Sequence, residues 1–579
     1  MNNDVKTGYP SIDKPWENFY TKEAPATPDP NCSMYEFLQK CNYNSMANTA
    51  LNYYGKKITY DELFKNINRT ANALHAIGVK QGDIVSVCPL NTPEFIYLLY
   101  AINKVGATSN WIGLTSPVSD LHTQLTSTKT RIIFTVNIAY DQISAAAKNS
   151  EVEKIITVPI EYSMPIHLKP ILSYKNRKNN KQGTPWKEFI KQASYTIPTR
   201  SFKADEAAII EYTGGSTGVP KGVVLSNTAI NTHYIDFFIT NYNDIFNFEA
   251  TDRMISGVPF FLVFGMCACC HAPLCHGMEL VLAPDPSPNV GVKIIQKYKI
   301  NHVMAGRLLI EELLKATQKG KWNLSYIKSI MYGGEETNKV WENSIRNELK
   351  KYHLNAPILN SYGMSESSAG VLTAPDDDTD GLIPCAGVVV KIVNPENHCD
   401  EYSYDKEGEL CVSTNQIMMG YFNHPADTQA VIFENNGVRW LKTHDLATIS
   451  RDGIIKITGR IKRIYSKLTD DGIQVRVYPM RIEETLIRNE LVQECAVLGI
   501  KDDLFAYRSV AYIVLTDQNM RSNDAKEMLQ AYCKSNLPES HWPDEYVFVK
   551  SFPVTRAGKV DYRALEEIYK NCENAGQAS

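Results

Sequence analysis

A chain of 579 residues is too long for one simple domain, and at ~100–200 residues per domain it has room for roughly three to five units. Its 44% hydrophobic and 21% charged residues, with 32 Gly and 28 Pro, exclude collagen-like, low-complexity and intrinsically disordered classes. The 60 Lys and Arg against 64 Asp and Glu leave a formal charge of -4, too small to gather nucleic acid or an anionic membrane, so a small-molecule partner is the default.

In chain order, residues 1–30 are polar and proline-rich but carry Trp16, Phe19 and Tyr20, which predicts an arm pinned to the body by aromatics. It opens without a basic segment followed by an apolar run, and Asn574–Ser579 carries no lipidation or retention signal. Thirteen cysteines, an odd number scattered from Cys32 to Cys572, read as reduced thiols, and a cytoplasmic location is expected. From Thr59 a helical stretch (Asp61–Ile77) alternates with short apolar strands (Ile84–Val87, Arg131–Val136), the pattern of an α/β fold. The runs Lys175–Lys187 and Asp376–Asp380 read as solvated loops. The most apolar stretch, Ile255–Cys270, is broken by Gly257, Pro259 and Gly265 and falls short of the ~20 residues that cross a bilayer, so it is expected as core.

After the turn at Asp452-Gly453, the strand Ile454–Ile457 leads into a basic connector, Gly459–Arg463, where a domain boundary is expected. Beyond it the pattern predicts a helix over Pro479–Asn489, strands over Cys495–Ile500 and Ser509–Leu515, and a helix near Ala525–Cys533. The division expected is an arm (1–30), a large multi-subdomain α/β domain (31–459), a hinge (460–463) and a small α+β domain (464–579).

The buried-strand pattern Ala207–Ile210 runs into Tyr212-Thr213-Gly214-Gly215-Ser216-Thr217-Gly218-Val219-Pro220-Lys221-Gly222. Glycines let backbone N–H groups converge on an anion, hydroxyls add donors and Lys221 adds charge, so a phosphate cradle is the direct reading. Lys221 follows Val219-Pro220 and precedes Gly222, which does not match the ordinary P-loop. Gly214–Gly218 also satisfies the nucleophile elbow of α/β-hydrolases, but the additional hydroxyls and lysine are not what an elbow needs, and no partner Asp and His announce themselves.

This loop resembles the signature of the adenylate-forming superfamily, which includes acyl- and aryl-CoA synthetases and nonribosomal-peptide-synthetase adenylation domains. Further motifs follow in the family's order: Asn360-Ser361-Tyr362-Gly363-Met364-Ser365-Glu366, Trp440–Leu446, Thr458–Lys462 and Pro553–Tyr562. The resemblance spans about Thr59 to Leu565.

It implies that Thr213, Gly214, Gly215, Ser216, Thr217, Gly218 and Lys221 hold phosphates of ATP, that Ser365 reaches the α-phosphate and that Glu366 carries Mg²⁺. Tyr362 would lie against adenine with Gly334-Glu335 opposite and Asn360 at its edge, with Ser361, Gly363 and Ile457 also lining the nucleotide. Asp445 would accept the ribose hydroxyls, with Arg460 nearby. Lys559 would bridge the substrate carboxylate and the α-phosphate, and Lys462 would be the pivot about which the small domain swings to admit a thiol. The acyl pocket would include Phe261, Leu262 and Gly333.

Three departures bear on specificity. In Val258–Gly265, Leu262 stands where many CoA synthetases have His and amino-acid-activating domains have Asp. With no acidic neighbour in the sequence, an ammonium would be left unpaired, which favours an acyl or aryl acid over an α-amino acid. His444 replaces the usual glycine before Asp445, and Ser466–Val477 looks longer than the usual post-hinge loop. The cluster Cys267-x-Cys269-Cys270-His271-x-x-x-Cys275-His276 offers soft ligands, yet it follows the apolar segment where a packed helix belongs and reads as core rather than a zinc site. The expected activity is an ATP- and Mg²⁺-dependent acid–thiol ligase using CoA, with a separate carrier protein as the rival acceptor and a catalytically silent nucleotide-binding protein as the alternative of another class.

Overall fold

The structure is a computed structural model that describes residues 7–20, 27–170, 182–193, 206–213, 220–239, 248–334, 339–468, 474–502, 506–555 and 559–577. The first long helix shows why the sequence pattern works. Thr59 Oγ1 accepts the Glu62 N–H while the Glu62 carboxylate accepts the Thr59 N–H, a reciprocal cap that starts Tyr60–Ala76. Leu63, Phe64, Ile67, Ala71 and Leu74 then share its buried face.

Among the described residues, this helix and its neighbours cover two large sheets. One runs in the spatial order Gly420–Tyr421, Gly222–Ser226, Ala207–Tyr212, Thr108–Trp111, Ile84–Cys88, Ile132–Val136, Lys154–Val158, Thr184–Pro185. Its five central strands from Ala207–Tyr212 to Lys154–Val158 pair in parallel, and Ile132–Val136 is buried at every residue, as expected for a strand covered on both faces. The other has nine strands and places Ser329–Gly333 beside Ile358–Met364 in parallel register, Gly333 opposite Ser361. A buried Asp252–His302–Ser329 chain braces it: His302 Nε2 lies 2.8 Å from Asp252 Oδ2, and Nδ1 lies 2.8 Å from Ser329 Oγ. That connectivity matches a hydrolytic triad, but with His302 0% exposed it holds strands together rather than meeting a substrate.

A third, antiparallel sheet contains the long strand Val438–Ile449, which pairs with Ile455–Arg460 so that Asp445 stands opposite Arg460. A 3₁₀ turn, Ile461–Arg463, leads to the smaller C-terminal domain, where Val492–Asp502, Ala506–Leu515 and Glu545–Phe548 form a sheet flanked by the helices Pro479–Ile487, Ser522–Asn536 and Tyr562–Gln577. The fold is therefore α/β, a large N-terminal domain with a small α+β domain after it.

Several expectations need correction. Ser466–Val477 is no open loop at its ends, since Tyr465–Leu468 pairs with Gln474–Val477. Asp376–Asp380 is only partly solvated: Asp376 caps the Thr379 N–H at 2.6 Å, and Asp377 pairs with Arg346 at 2.9 Å. The Lys175–Lys187 run lies largely outside the described residues. The N-terminal aromatics are seated as the composition suggested, with Trp16 1% exposed and the Tyr20 hydroxyl donating to the Pro384 carbonyl at 2.8 Å. Gly453 is needed there, because a Cβ on it would fall 2.4 Å from the Trp16 nitrogen. No helix among the described residues is long and apolar enough to cross a membrane.

Candidate functional site

The C-terminal ends of parallel strands are where α/β sheets present ligands, and three such ends meet here. Ala207–Tyr212 stops at Thr213, whose N–H donates to the Lys221 carbonyl at 3.1 Å, and it pairs antiparallel with Gly222–Ser226, Tyr212 opposite Gly222. Gly214, Gly215, Ser216, Thr217 and Gly218 themselves lie outside the described residues, as does Glu335.

Lys221, expected on phosphate, pairs with Asp427, Nζ to Oδ1 2.7 Å. It also stands over the ring of Tyr421 at 5.2 Å. The Tyr421 hydroxyl donates to Glu366 Oε1 at 2.7 Å, so Lys221 and Glu366, 145 positions apart in a sequence that gives no hint of it, meet at one tyrosine. Glu366 rises on the short 3₁₀ turn Ser365–Ser367, right after the strand that carries Asn360, Ser361, Tyr362 and Gly363. Gly363 packs so closely on the next strand that a Cβ would fall 1.8 Å from the Ala369 carbonyl oxygen.

Across from this turn, the Tyr362 hydroxyl donates to Asp445 Oδ2 at 2.6 Å, and Arg460 Nε lies 3.6 Å from Asp445 Oδ1. Burial, then the Asp445 charge, drives the Tyr362 phenol well above its ordinary range, so it stays a donor. His444, beside it, takes the left-handed backbone (φ 60°) that a glycine would adopt freely. Its N–H and its Nδ1 each lie 3.2 Å from Glu409 Oε1. Burial works against the Glu409 charge, but hydrogen bonds from His444, with the electrostatic pull of His444 and His398, hold that carboxyl below its usual range. Ile457, half-buried, pairs opposite Ala447 on the same ladder.

The remaining candidates come from both domains. Gly333 sits where a Cβ would fall 2.4 Å from the Ser361 carbonyl oxygen, and Gly334 turns away with φ +85°. A Cβ on Gly334 would stand 3.9 Å from Lys559 Cε, so the C-terminal domain delivers its lysine to the end of a large-domain strand. Its carbonyl accepts the Thr555 N–H at 2.6 Å. Lys462 is exposed on the connecting 3₁₀ turn. Next to it, the Arg463 guanidinium lies 4.2 Å over the Tyr562 ring, three residues beyond Lys559.

Phe261 and Leu262 are half-buried, with Phe261 against Gly113. Gly265 after them would clash with the Pro259 carbonyl oxygen, 2.1 Å away, if it bore a Cβ. The following π-helix, Phe264–His271, buries its cysteines. His271 Nδ1 lies 3.0 Å from the Tyr100 hydroxyl and Nε2 3.2 Å from Asn231 Oδ1, so this histidine is a core residue. Among the described residues no group of three metal-ligating side chains is assembled. One acidic neighbour was missed: Glu211, on the strand before the glycine loop, is close enough to act electrostatically on Cys267. A lone acid directly after the apolar run Ala207–Ile210 was the signal available.

A family model described as AMP-binding enzyme matches residues 38–422, and one described as AMP-binding enzyme C-terminal domain matches residues 481–559. The chain belongs to the AMP-binding enzyme family. It is 26% identical over 588 aligned positions to the long-chain-fatty-acid–CoA ligase of Bacillus subtilis (strain 168), covering 96% of this enzyme and 99% of that ligase. Among solved structures it is similar to ATP-bound MatB from Rhodopseudomonas palustris (TM-score 0.79, 22% identity, 94% and 100% coverage). It is also similar to the anthranilate CoA ligase AuaEII in complex with anthranoyl-AMP (TM-score 0.77, 19% identity, 93% and 97% coverage). This AMP-binding enzyme is an adenylate-forming, AMP-forming ligase.

Proposed function

We propose that the enzyme joins a carboxylic acid, acyl or aryl rather than α-amino, to the AMP portion of ATP and then passes the acyl group to CoA. In the first step a carboxylate oxygen attacks the α-phosphorus and the bond to pyrophosphate breaks. In the second a thiolate attacks the acyl carbonyl carbon, AMP leaves, and the thiol proton goes to solvent. The approach of Lys559 to Gly334 carries this reading: it brings the lysine side chain to the end of the strand beside the one that carries Tyr362, itself hydrogen-bonded to Asp445, where two anions must be brought together.

In this scheme Asp445 and Arg460 hold the ribose, Tyr362 packs on adenine, and Asn360, Ser361, Gly363, Gly334, Glu335 and Ile457 line it. Thr213, the Gly214–Gly218 loop, Lys221 and Ser365 serve the phosphates, and Phe261, Leu262 and Gly333 the acid. Glu366, a half-buried carboxylate with one oxygen held by Tyr421, has the hard oxygen donor that Mg²⁺ takes; bound there, the ion would offset phosphate charge. The large domain extends to residue 459 and the small one begins at 464. Rotation about Lys462 withdraws Lys559 and opens the second face to the thiol.

The test is pyrophosphate release with ATP, Mg²⁺ and a panel of fatty, aryl and amino acids, each with and without CoA. Release that CoA accelerates for a fatty or aryl acid is the expected result. Release indifferent to CoA would point to a carrier protein as acceptor, and no release with any acid would overturn the reading.

A further inference from the structure

Glu211 is 1% exposed, and neither of its carboxyl oxygens has a hydrogen-bond partner among the described residues. A carboxyl in that position loses its hydration and gains nothing in return, so burial drives it well above the ordinary carboxylate range. Nothing in the strand itself needs it, since the ladder is satisfied through its backbone on both sides, opposite Trp111 and opposite Val223.

The direction of the side chain follows from strand geometry. Ile210 and Tyr212 point to the face where they meet Gly222. Glu211 therefore points to the opposite face, together with its register partner Trp111. The extended chain continues past Trp111, with the Ile112 N–H donating to the Val87 carbonyl at 2.9 Å, so that Gly113 returns to the same side. There Gly113 meets the Phe261 ring, 3.3 Å from where its Cβ would be, and Cys267 on the π-helix lies within electrostatic reach of the Glu211 carboxyl. The orphan carboxyl thus lies under the Phe261–Cys267 segment, which is otherwise apolar.

We propose that Glu211 is a specificity-determining residue of the acyl site, the hydrogen-bond partner of a donor group carried on the acyl portion of the substrate acid. The donor is a hydroxyl or an amine, and the role rests on the proposed assignment of Phe261 and Leu262 to the acid. A site with a buried, waiting polar group discriminates strongly against an analogue that leaves the group unpaired.

The experiment compares acids in matched sets of plain, hydroxylated and amino-substituted members of the same chain or ring, scored by kcat/KM for pyrophosphate release. The enzymes are wild type, Glu211→Leu and Glu211→Gln. Wild type should favour a substituted acid over its plain counterpart by about tenfold or more, and Glu211→Leu should lower that ratio at least ~10-fold. Glu211→Gln separates the donors: it keeps preference for the hydroxyl and loses preference for the amine, which needs a group able to take negative charge. It also serves as the isosteric variant should the leucine variant fail to fold. Equal ratios in wild type and both variants would overturn the proposal and leave Glu211 bonded to a buried water. No release by wild type with any acid would overturn the ligase reading and the proposal with it.

Discussion

Lys559 Cε stands 3.9 Å from the point a Cβ on Gly334 would occupy, although the two residues belong to different domains and are 225 positions apart. In the proposed scheme this is the orientation that serves the first half-reaction. Lys559→Ala should lower adenylate formation by ~100-fold or more while leaving thioester formation from supplied acyl-adenylate within a few-fold. Equal losses in the two half-reactions would sink the two-orientation scheme.

Tyr362 and Asp445 form a charge-assisted hydrogen bond of 2.6 Å. Tyr362→Phe removes the donor that orients Asp445, and a hydrogen bond to a charged group contributes about 1.5–3 kcal/mol. KM for ATP should rise ~10-fold or more with a smaller change in kcat. An unchanged KM would dissociate this pair from the nucleotide.

Tyr421 holds one oxygen of Glu366 and packs against the Lys221 ammonium. Partners of this kind typically change metal affinity by ~10–100-fold when removed. The Mg²⁺ concentration needed for half-maximal pyrophosphate release should therefore rise in Tyr421→Phe, and a titration that overlays wild type would remove Tyr421 from the metal's support.

Asp236 is buried on the helix next to Phe237, with its Oδ2 accepting from Gln416 Nε2 at 2.8 Å, and burial pushes its carboxyl up to about 7. An unfolded aspartate titrates near ~4, so between those values the native state binds a proton that the unfolded state has released. Stability consequently falls as pH rises from about 4 to about 7, by up to ~4 kcal/mol, and stays low above it. Asp236→Asn should flatten the Tm–pH profile over this window and melt higher than wild type at pH 8; parallel profiles would count against it.

The strands and helices were legible where a single physical signal dominated. Ile132–Val136 is apolar throughout because both faces are covered, and Thr59 with Glu62 announces a helix start three residues apart. Candidate residues were legible where chemistry is concentrated in one short segment, as in Asn360–Glu366. Pairings between segments were not: Tyr421 with Glu366, Lys221 with Asp427 and His444 with Glu409 join strands and loops far apart in the chain. The relation of Glu211 to Cys267 is of the same kind, since it runs through the fold and not along the chain.

Asp445 and Arg460 are opposite residues on one antiparallel rung, and Arg460 is the last residue of its strand before the 3₁₀ turn. The rung proposed to meet the ribose is thus also the one from which the smaller domain departs. If ATP binds more tightly in the orientation that presents Lys559, then by reciprocity ATP must favour that orientation by the same factor. The order of events then needs no separate timer: nucleotide occupancy and domain angle are two readings of a single equilibrium, which loss of pyrophosphate is placed to tip.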